Sequence, residues 1–211
     1  TAGCRPGNLA DNPLAQDLFE IEERLPASLA IHGILDAHGV LCDLQVGRGQ
    51  ENFAKACAIH NAACASDSPP FDCVIASCGG FPKDINFIQS HKAVHNAAMF
   101  VEDGGLLLLY AECRDGVGST TFLPWFGLGG FDAAFGHLAE SYEGNGGTAL
   151  AMMTKLQRIR IGLVTRMDEE ICRSIGVEKW DHPQVCEHLT RVPAGDSIAC
   201  IPNASLLVRS V

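Results

Sequence analysis

Phe71-Asp72-Cys73-Val74-Ile75-Ala76-Ser77 runs directly into Cys78-Gly79-Gly80-Phe81-Pro82-Lys83-Asp84-Ile85-Asn86 and then into Phe87-Ile88-Gln89-Ser90-His91-Lys92. The first segment is a short apolar run of the kind that forms a strand buried on both faces. Gly79, Gly80 and Pro82 interrupt it with turn chemistry, and a helical pattern follows. Strand, glycine turn and helix in that order are how an open α/β sheet presents a ligand at the carboxyl end of a strand. The glycines let backbone approach a ligand, and the helix start is expected to offer free N–H groups and a positive dipole end. Gln89 and Lys92 stand at i and i+3, about 5–6 Å apart on one helix face. An amide beside an ammonium is a grip for a small carboxylate. Gly79, Gly80, Gln89 and Lys92 are thus the candidate substrate-binding residues, with Asp84, Asn86 and His95 as further lining.

Upstream, residues 1–12 read as an extended segment rich in Gly, Pro and Asn. Asn12-Pro13 is a helix start, with Asn as cap and Pro in the first turn; that helix runs to about Arg24. Apolar runs at 28–35 and 40–46 bracket Asp36-Ala37-His38-Gly39 and predict a β-hairpin, followed by a helix over 51–64. Ser66-Asp67-Ser68-Pro69-Pro70 marks a boundary, giving a small N-terminal α+β lobe at 1–68 and an α/β substrate-side domain at 69–211. Downstream the rhythm predicts a helix over 86–101, a turn at 102–105 and a strand at 106–111. Helices at 130–143 and 147–158, a strand at 160–165, a helix at 168–175, and strands at 197–201 and 206–209 follow. Such alternation implies an α/β fold with a mainly parallel, doubly wound, Rossmann-like sheet.

The chain has 211 residues, 47% hydrophobic and 19% charged, so it folds around a sizeable core. A net charge of -10 argues against nucleic acid as a partner, because neutralising phosphates needs clustered Lys and Arg. An acidic chain that holds an anion must do so with a few placed cations, and Lys92 is one. No apolar run of about 18 residues predicts a membrane span, and no signal peptide opens the sequence. Ten cysteines without a C-x-x-C, several in predicted core elements, read as reduced thiols in a cytoplasmic protein. The opening at Thr1 without an initiator Met predicts a fragment or a processed chain.

Several motifs have a plainer reading. Gly79-Gly80 with Pro82 also suits an ordinary βα connection, and a helical lysine is ordinarily solvated surface. Gly116-Val117-Gly118-Ser119-Thr120-Thr121 lacks the third glycine and the acidic residue of a dinucleotide fingerprint, so it is read as shaping the same cleft from the adjacent strand. His91 and His95 have i, i+4 spacing suited to a shared metal, but no third ligand is apparent and no metal site is assigned. Cys78 could serve as a nucleophile, although no His and acid partner accompanies it. Trp125, in Phe122-Leu123-Pro124-Trp125-Phe126, is a candidate lid or cofactor-contacting aromatic, with packing as its commoner role. Phe81, Phe87, Trp125 and Phe126 are expected to flank the cleft as a partly apolar face that another lobe covers.

Three blocks together resemble a known family. They are Arg5-Pro6-Gly7-Asn8-Leu9-Ala10-Asp11-Asn12-Pro13 with Asp17 and Glu20; Cys78 through Asn86 with Gln89, Lys92 and Ala93; and Asp103-Gly104-Gly105 followed by Ala111-Glu112-Cys113-Arg114-Asp115-Gly116-Val117-Gly118. In this order they resemble the C-terminal half of the nickel-dependent lactate racemases and related 2-hydroxyacid racemases, over about residues 1–130. The resemblance implies hydride abstraction and return at Cα of a 2-hydroxyacid, with a nickel pincer nucleotide as cofactor of the complete enzyme. Gln89 and Lys92 match the family's C-terminal substrate pair. Catalytic histidines, a cofactor lysine and a nickel-ligating histidine are implied for an N-terminal half, which would be this chain's partner; a homo-oligomer is compatible with the apolar face. The isolated chain is therefore expected to be inactive and to hold no stoichiometric nickel. Ile88 stands where the family's pattern has tyrosine, and Lys83 adds charge to the turn, which points to a larger or more acidic 2-hydroxyacid than lactate. A carboxylate-binding domain without catalysis, or a Cys78-dependent enzyme, are the alternatives.

Overall fold

A computed structural model of the chain describes residues 3–5, 7–36 and 38–210. Pro6 of the first motif block and Ala37 of the expected hairpin turn lie outside the described residues. Two compact units make up the chain: Thr1–Ser68 with Leu206–Val211, and Pro69–Ser205.

In the first unit, helix α1 covers Pro13–Arg24, and the Asn12 side chain accepts hydrogen bonds from the Leu14 and Ala15 amides. Strands β1 (Ala30–Leu35) and β2 (Leu41–Gly47) form the antiparallel hairpin, and helix α2 covers Gly49–Cys64. A two-residue strand, β3 (Ala65–Ser66), ends this part. Helix α1 buries no residue, and its Leu14, Leu18 and Ile21 stripe is exposed, as are Ile31, Leu44 and Val46 on one face of the hairpin.

The second unit opens with β4 (Phe71–Ser77), helix α3 (Phe87–Ala97, extended by a 3₁₀ turn to Phe100) and β5 (Val101–Tyr110). A 3₁₀ turn at Leu123–Gly127, α4 (Phe131–Glu140), α5 (Gly146–Leu156) and β6 (Arg160–Val164) follow. Next come α6 (Glu169–Ile175), β7 (Glu178–Trp180), α7 (His182–Arg191) and β8 (Ile198–Ile201). The five strands pair in parallel in the order β7-β6-β5-β4-β8. This is the α/β fold with a parallel sheet that the alternation predicts. Strand order reverses between β4 and β8, the position at which open α/β sheets leave a crevice at the strands' carboxyl ends. Leu106 to Leu109 in β5 are at most 6% exposed, each contributing about 1.5–3 kcal/mol through burial.

Three features depart from the sequence reading. The expected strand at 206–209 shortens to β9 (Val208–Arg209), which pairs with β3 in the first unit and not with the main sheet. Residues 102–105 continue β5 with a register shift in place of the expected turn. Finally, β7 and α7 were not anticipated. The polar α7 buries only Val185, although Asp181 and Gln184 form a reciprocal capping box that marks its start. All ten cysteines are free thiols; Cys73, Cys78, Cys113 and Cys172 are buried, while Cys4, Cys42, Cys186 and Cys200 are exposed.

The core also takes in basic side chains from α3 and α5. His91 is 9% exposed, its Nε2 has no hydrogen-bond partner, and its pKa falls to about 3 through burial and then the nearby Lys155 ammonium. His95 falls to about 4 for the same two reasons. Lys155, which helix position alone suggests is a surface residue, is 9% exposed, donates to the Ala151 carbonyl at 2.7 Å, and is lowered to about 8 by burial and then by Arg158. Both imidazoles stay neutral in the fold while the unfolded chain protonates them below about pH 6.5. The histidines' contribution to stability is therefore complete above that value and declines as pH drops toward 3, by up to about 1.4 kcal/mol per pH unit for each histidine. Denaturant midpoints measured at pH 7 and pH 5 should show the decline, and His91→Asn should flatten it; equal pH dependence in both proteins would refute this account.

Candidate functional site

The turn that leaves β4 beside β8 is built around Gly79 and Gly80, both left-handed with φ of +87° and +74°. The Gly79 N–H donates to Ser77 Oγ at 3.0 Å. A Cβ on Gly79 would lie 2.6 Å from Asn203 Oδ1, so glycine alone lets this turn close against the segment that follows β8. At Gly80 a Cβ would meet nothing within 4 Å, which leaves its backbone open to approach. Lys83 Nζ donates to Asn203 Oδ1 at 3.4 Å, and Ser205 Oγ donates to the same oxygen at 2.7 Å.

Helix α3 starts from the other end of this turn, and its amides are occupied. Asn86 Oδ1 accepts from Gln89 N–H at 3.0 Å, while the Phe87 and Ile88 amides donate to the Gly116 and Val117 carbonyls at 3.0 and 3.1 Å. The free N–H groups expected at this helix start are thus taken by the loop after β5, which explains the second glycine motif. Gly118, with φ of +87°, packs so closely on Asn86 that a Cβ would overlap its side chain. Asn86 therefore serves as a cap and a packing surface in this turn. Asp84 ties the same turn down: it is 9% exposed, its Oδ2 accepts from the Glu112 amide at 3.2 Å, and its carbonyl accepts from Cys113 N–H at 2.9 Å.

Gln89 and Lys92 project from α3 into solvent, with Lys92 Nζ donating to Gln89 Oε1 at 2.8 Å. Among the described residues neither Lys83 nor Lys92 forms an ion pair with a carboxylate. Other cations on the same strand ends are neutralised: Arg166 pairs with Glu112 at 2.9 Å, and Arg114 with Asp115 at 3.6 Å. The Arg114 guanidinium also sits 4.5 Å from the centre of the Phe81 ring. Asn203 and Arg114 were missed by the sequence reading, and Pro202-Asn203 after a strand was the one signal for the former.

Other expectations are corrected. Cys78 is fully buried and its thiol is pushed up to about 12, by burial above all, so it is no nucleophile at neutral pH. His95 meets Lys155 of α5 as a neutral imidazole, and an ammonium beside His91 and His95 opposes a metal cation there. Trp125 is 4% exposed, donates from Nε1 to the Gly144 carbonyl at 3.3 Å, and lies edge-on to His137, so it packs within the second unit and is not a lid. Phe87 is fully buried against Phe122; of the four aromatics expected on an apolar face, Phe81 alone is substantially exposed.

Sheet order and turn define a doubly wound α/β domain with a glycine turn at its switch point. Residues 66–128, which contain that turn, α3 and the loop after β5, match the lactate racemase C-terminal domain family. The lactate racemase of Thermoanaerobacterium thermosaccharolyticum is 29% identical over 123 residues, 58% of this chain and 29% of that protein. The lactate racemase of Lactiplantibacillus plantarum is 28% identical over 126 residues, 56% of this chain and 28% of its own length. Among solved structures, the T. thermosaccharolyticum lactate racemase apoprotein superposes with a TM-score of 0.91 at 21% identity, covering all of this chain and 52% of the other. A Thermotoga maritima protein gives 0.67 at 13% identity, over 95% of this chain and 54% of the other. The chain is similar to the lactate racemases, with the C-terminal domain match confined to residues 66–128; it spans about half the length of the structure it superposes on and aligns with less than a third of the curated relatives.

The clamp on α3 is open to test. Gly118→Ala forces an L side chain into a left-handed backbone and against Asn86, which should cost about 1–3 kcal/mol. A lowered urea midpoint is the expected readout, and an unchanged midpoint would show that the loop tolerates a Cβ.

Proposed function

We propose that this chain is the substrate-binding part of a racemase acting on lactate or a related 2-hydroxyacid. The observation that carries this reading is the Gln89–Lys92 pair. It is an ammonium without a carboxylate partner among the described residues, already joined to an amide, on the helix that follows the switch-point turn of a lactate racemase C-terminal domain. Lys92 would hold the substrate carboxylate by a charge-assisted hydrogen bond, and Gln89 would fix its orientation. Because α3 is clamped at its first turn, both side chains start from a rigid base. The open backbone at Gly80 and the second free cation, Lys83, suit a substrate somewhat larger or more acidic than lactate.

The resemblance implies a nickel pincer nucleotide, which would supply hydride acceptance and return at Cα in the complete protein. No cluster of three or more His, Cys, Asp or Glu side chains able to hold a metal occurs among the described residues. This chain's residues do not fit the group, and no step through it is assigned to them. Its seat, and the acid and base, would belong to an N-terminal half. The uncovered apolar stripe of α1 and the exposed face of the β1–β2 hairpin support such a partner, since surfaces of this kind are ordinarily covered. No described helix is long and apolar enough to cross a membrane. Ten free thiols accord with the cytoplasmic location we propose.

In the complete protein, Lys92→Ala should lower kcat/KM for lactate racemisation about ten- to a hundred-fold, the worth of one charge-assisted hydrogen bond. Lys92→Arg should rescue only in part because the planar fork changes reach and angle. Lys55→Ala, on an exposed ion pair of α2, is the control and should change nothing. Unchanged kinetics in Lys92→Ala would remove the assignment. Calorimetric binding of 2-hydroxyacids by a complete protein that racemises none of them would favour a carboxylate-binding domain without catalysis.

A further inference from the structure

On the side of the sheet packed by α7, three side chains form a chain of hydrogen bonds that the proposed racemase chemistry does not use. Cys186 Sγ lies 3.6 Å from His182 Nε2, and His182 Nδ1 lies 2.8 Å from the Tyr110 hydroxyl. His182 and Cys186 are i and i+4 on one face of α7, while Tyr110 is the last residue of β5. Tyr110 also meets the imidazole edge-on, with ring centroids 6.0 Å apart, so the ring is fixed both by packing and by a hydrogen bond. A thiol, a base within reach of it and a third group that orients the base are the arrangement that activates a nucleophilic sulfur. Cys186 is exposed, unlike Cys78, so electrophiles reach it. A second exposed thiol, Cys200, is close enough that both sulfurs act on Tyr110, whose hydroxyl is raised by burial first and then by Cys186 and Cys200.

We propose that Cys186 is a histidine-activated thiol and a site of reversible S-thiolation by low-molecular-weight disulfides. His182 Nε2 takes the Cys186 proton, and the sulfur attacks one sulfur of the disulfide. A Cys186 S–S bond forms as the disulfide's own S–S bond breaks, and the departing thiolate takes the proton back from His182. The incoming disulfide is the oxidant, reduced by one thiol equivalent as Cys186 is oxidised, so no further reactant is required. Tyr110 is a positioning residue that holds the imidazole for this transfer.

The test uses the whole chain in solution with oxidised glutathione, followed by peptide mass mapping of all ten cysteines. Cys186 should acquire one glutathionyl group at least about tenfold faster than Cys42 and Cys200, both exposed, and lose it on addition of a reducing thiol. His182→Asn should abolish that advantage with unchanged circular dichroism, and added imidazole should restore part of it. Tyr110→Phe, which keeps the ring and removes the hydroxyl, should lower the rate by a smaller factor. If Cys186 reacts no faster than Cys42, or just as fast without His182, the proposal fails. If His182→Asn disturbs the fold, the wild-type comparison of Cys186 with Cys42 and Cys200 decides by itself.

Discussion

Two backbone hydrogen bonds, from Phe87 to the Gly116 carbonyl and from Ile88 to the Val117 carbonyl, set the position of everything the candidate site presents. A helix start normally leaves four amides to water or to a ligand. Here the loop after β5 supplies acceptors for two, and Asn86 caps a third. Each bond is worth only about 0.5–1.5 kcal/mol net, yet together they tie the outlet of β4 to that of β5. The same loop could not come so near without Gly118, because any side chain there would occupy the volume of Asn86. Asp84 adds a third tie through the Glu112 amide. The anion-binding potential of the helix terminus is thereby given up for rigidity, and recognition passes to side chains one turn further along.

Charge is distributed to match. An acidic chain of net charge -10 keeps Lys83 and Lys92 free of carboxylate partners among its described residues, while its arginines at the strand ends are paired. Exposed pairs of that kind contribute about 0–1 kcal/mol to stability, so they chiefly decide which positive charges stay available to a ligand. On the buried side of α3 the opposite holds, since His91 and His95 are kept neutral beside Lys155. One helix thus carries a polar, chargeable face and a face where charge is suppressed by burial.

Much of this architecture was legible in the sequence. Apolar runs located β4, β5 and β6, and Asn12-Pro13 located the start of α1 to the residue. The polar α7 escaped because helical periodicity needs apolar residues and it buries one. The two-residue strands β3 and β9 have no periodicity at all, so their pairing could not be foreseen. Asp84 and Asn86, polar residues beside a glycine turn, look the same in sequence whether they bind a ligand or satisfy backbone amides. Asn203 meets Lys83 across 120 residues of chain, a proximity that only the β4–β8 pairing creates.

The pairing of β3 with β9 makes the second unit an insertion: the chain leaves the first unit at Ser68 and returns to it at Leu206. The points of exit and return are neighbouring parallel strands, as circularly tolerant or inserted domains require. During synthesis from the amino end, all five strands of the parallel sheet emerge before Val208 and Arg209 do. The unit that carries Gln89 and Lys92 is then complete while the unit formed by residues 1–68 still awaits its closing strand. Within these residues, the order of the units along the sequence is in this way the reverse of the order in which their strands are all made.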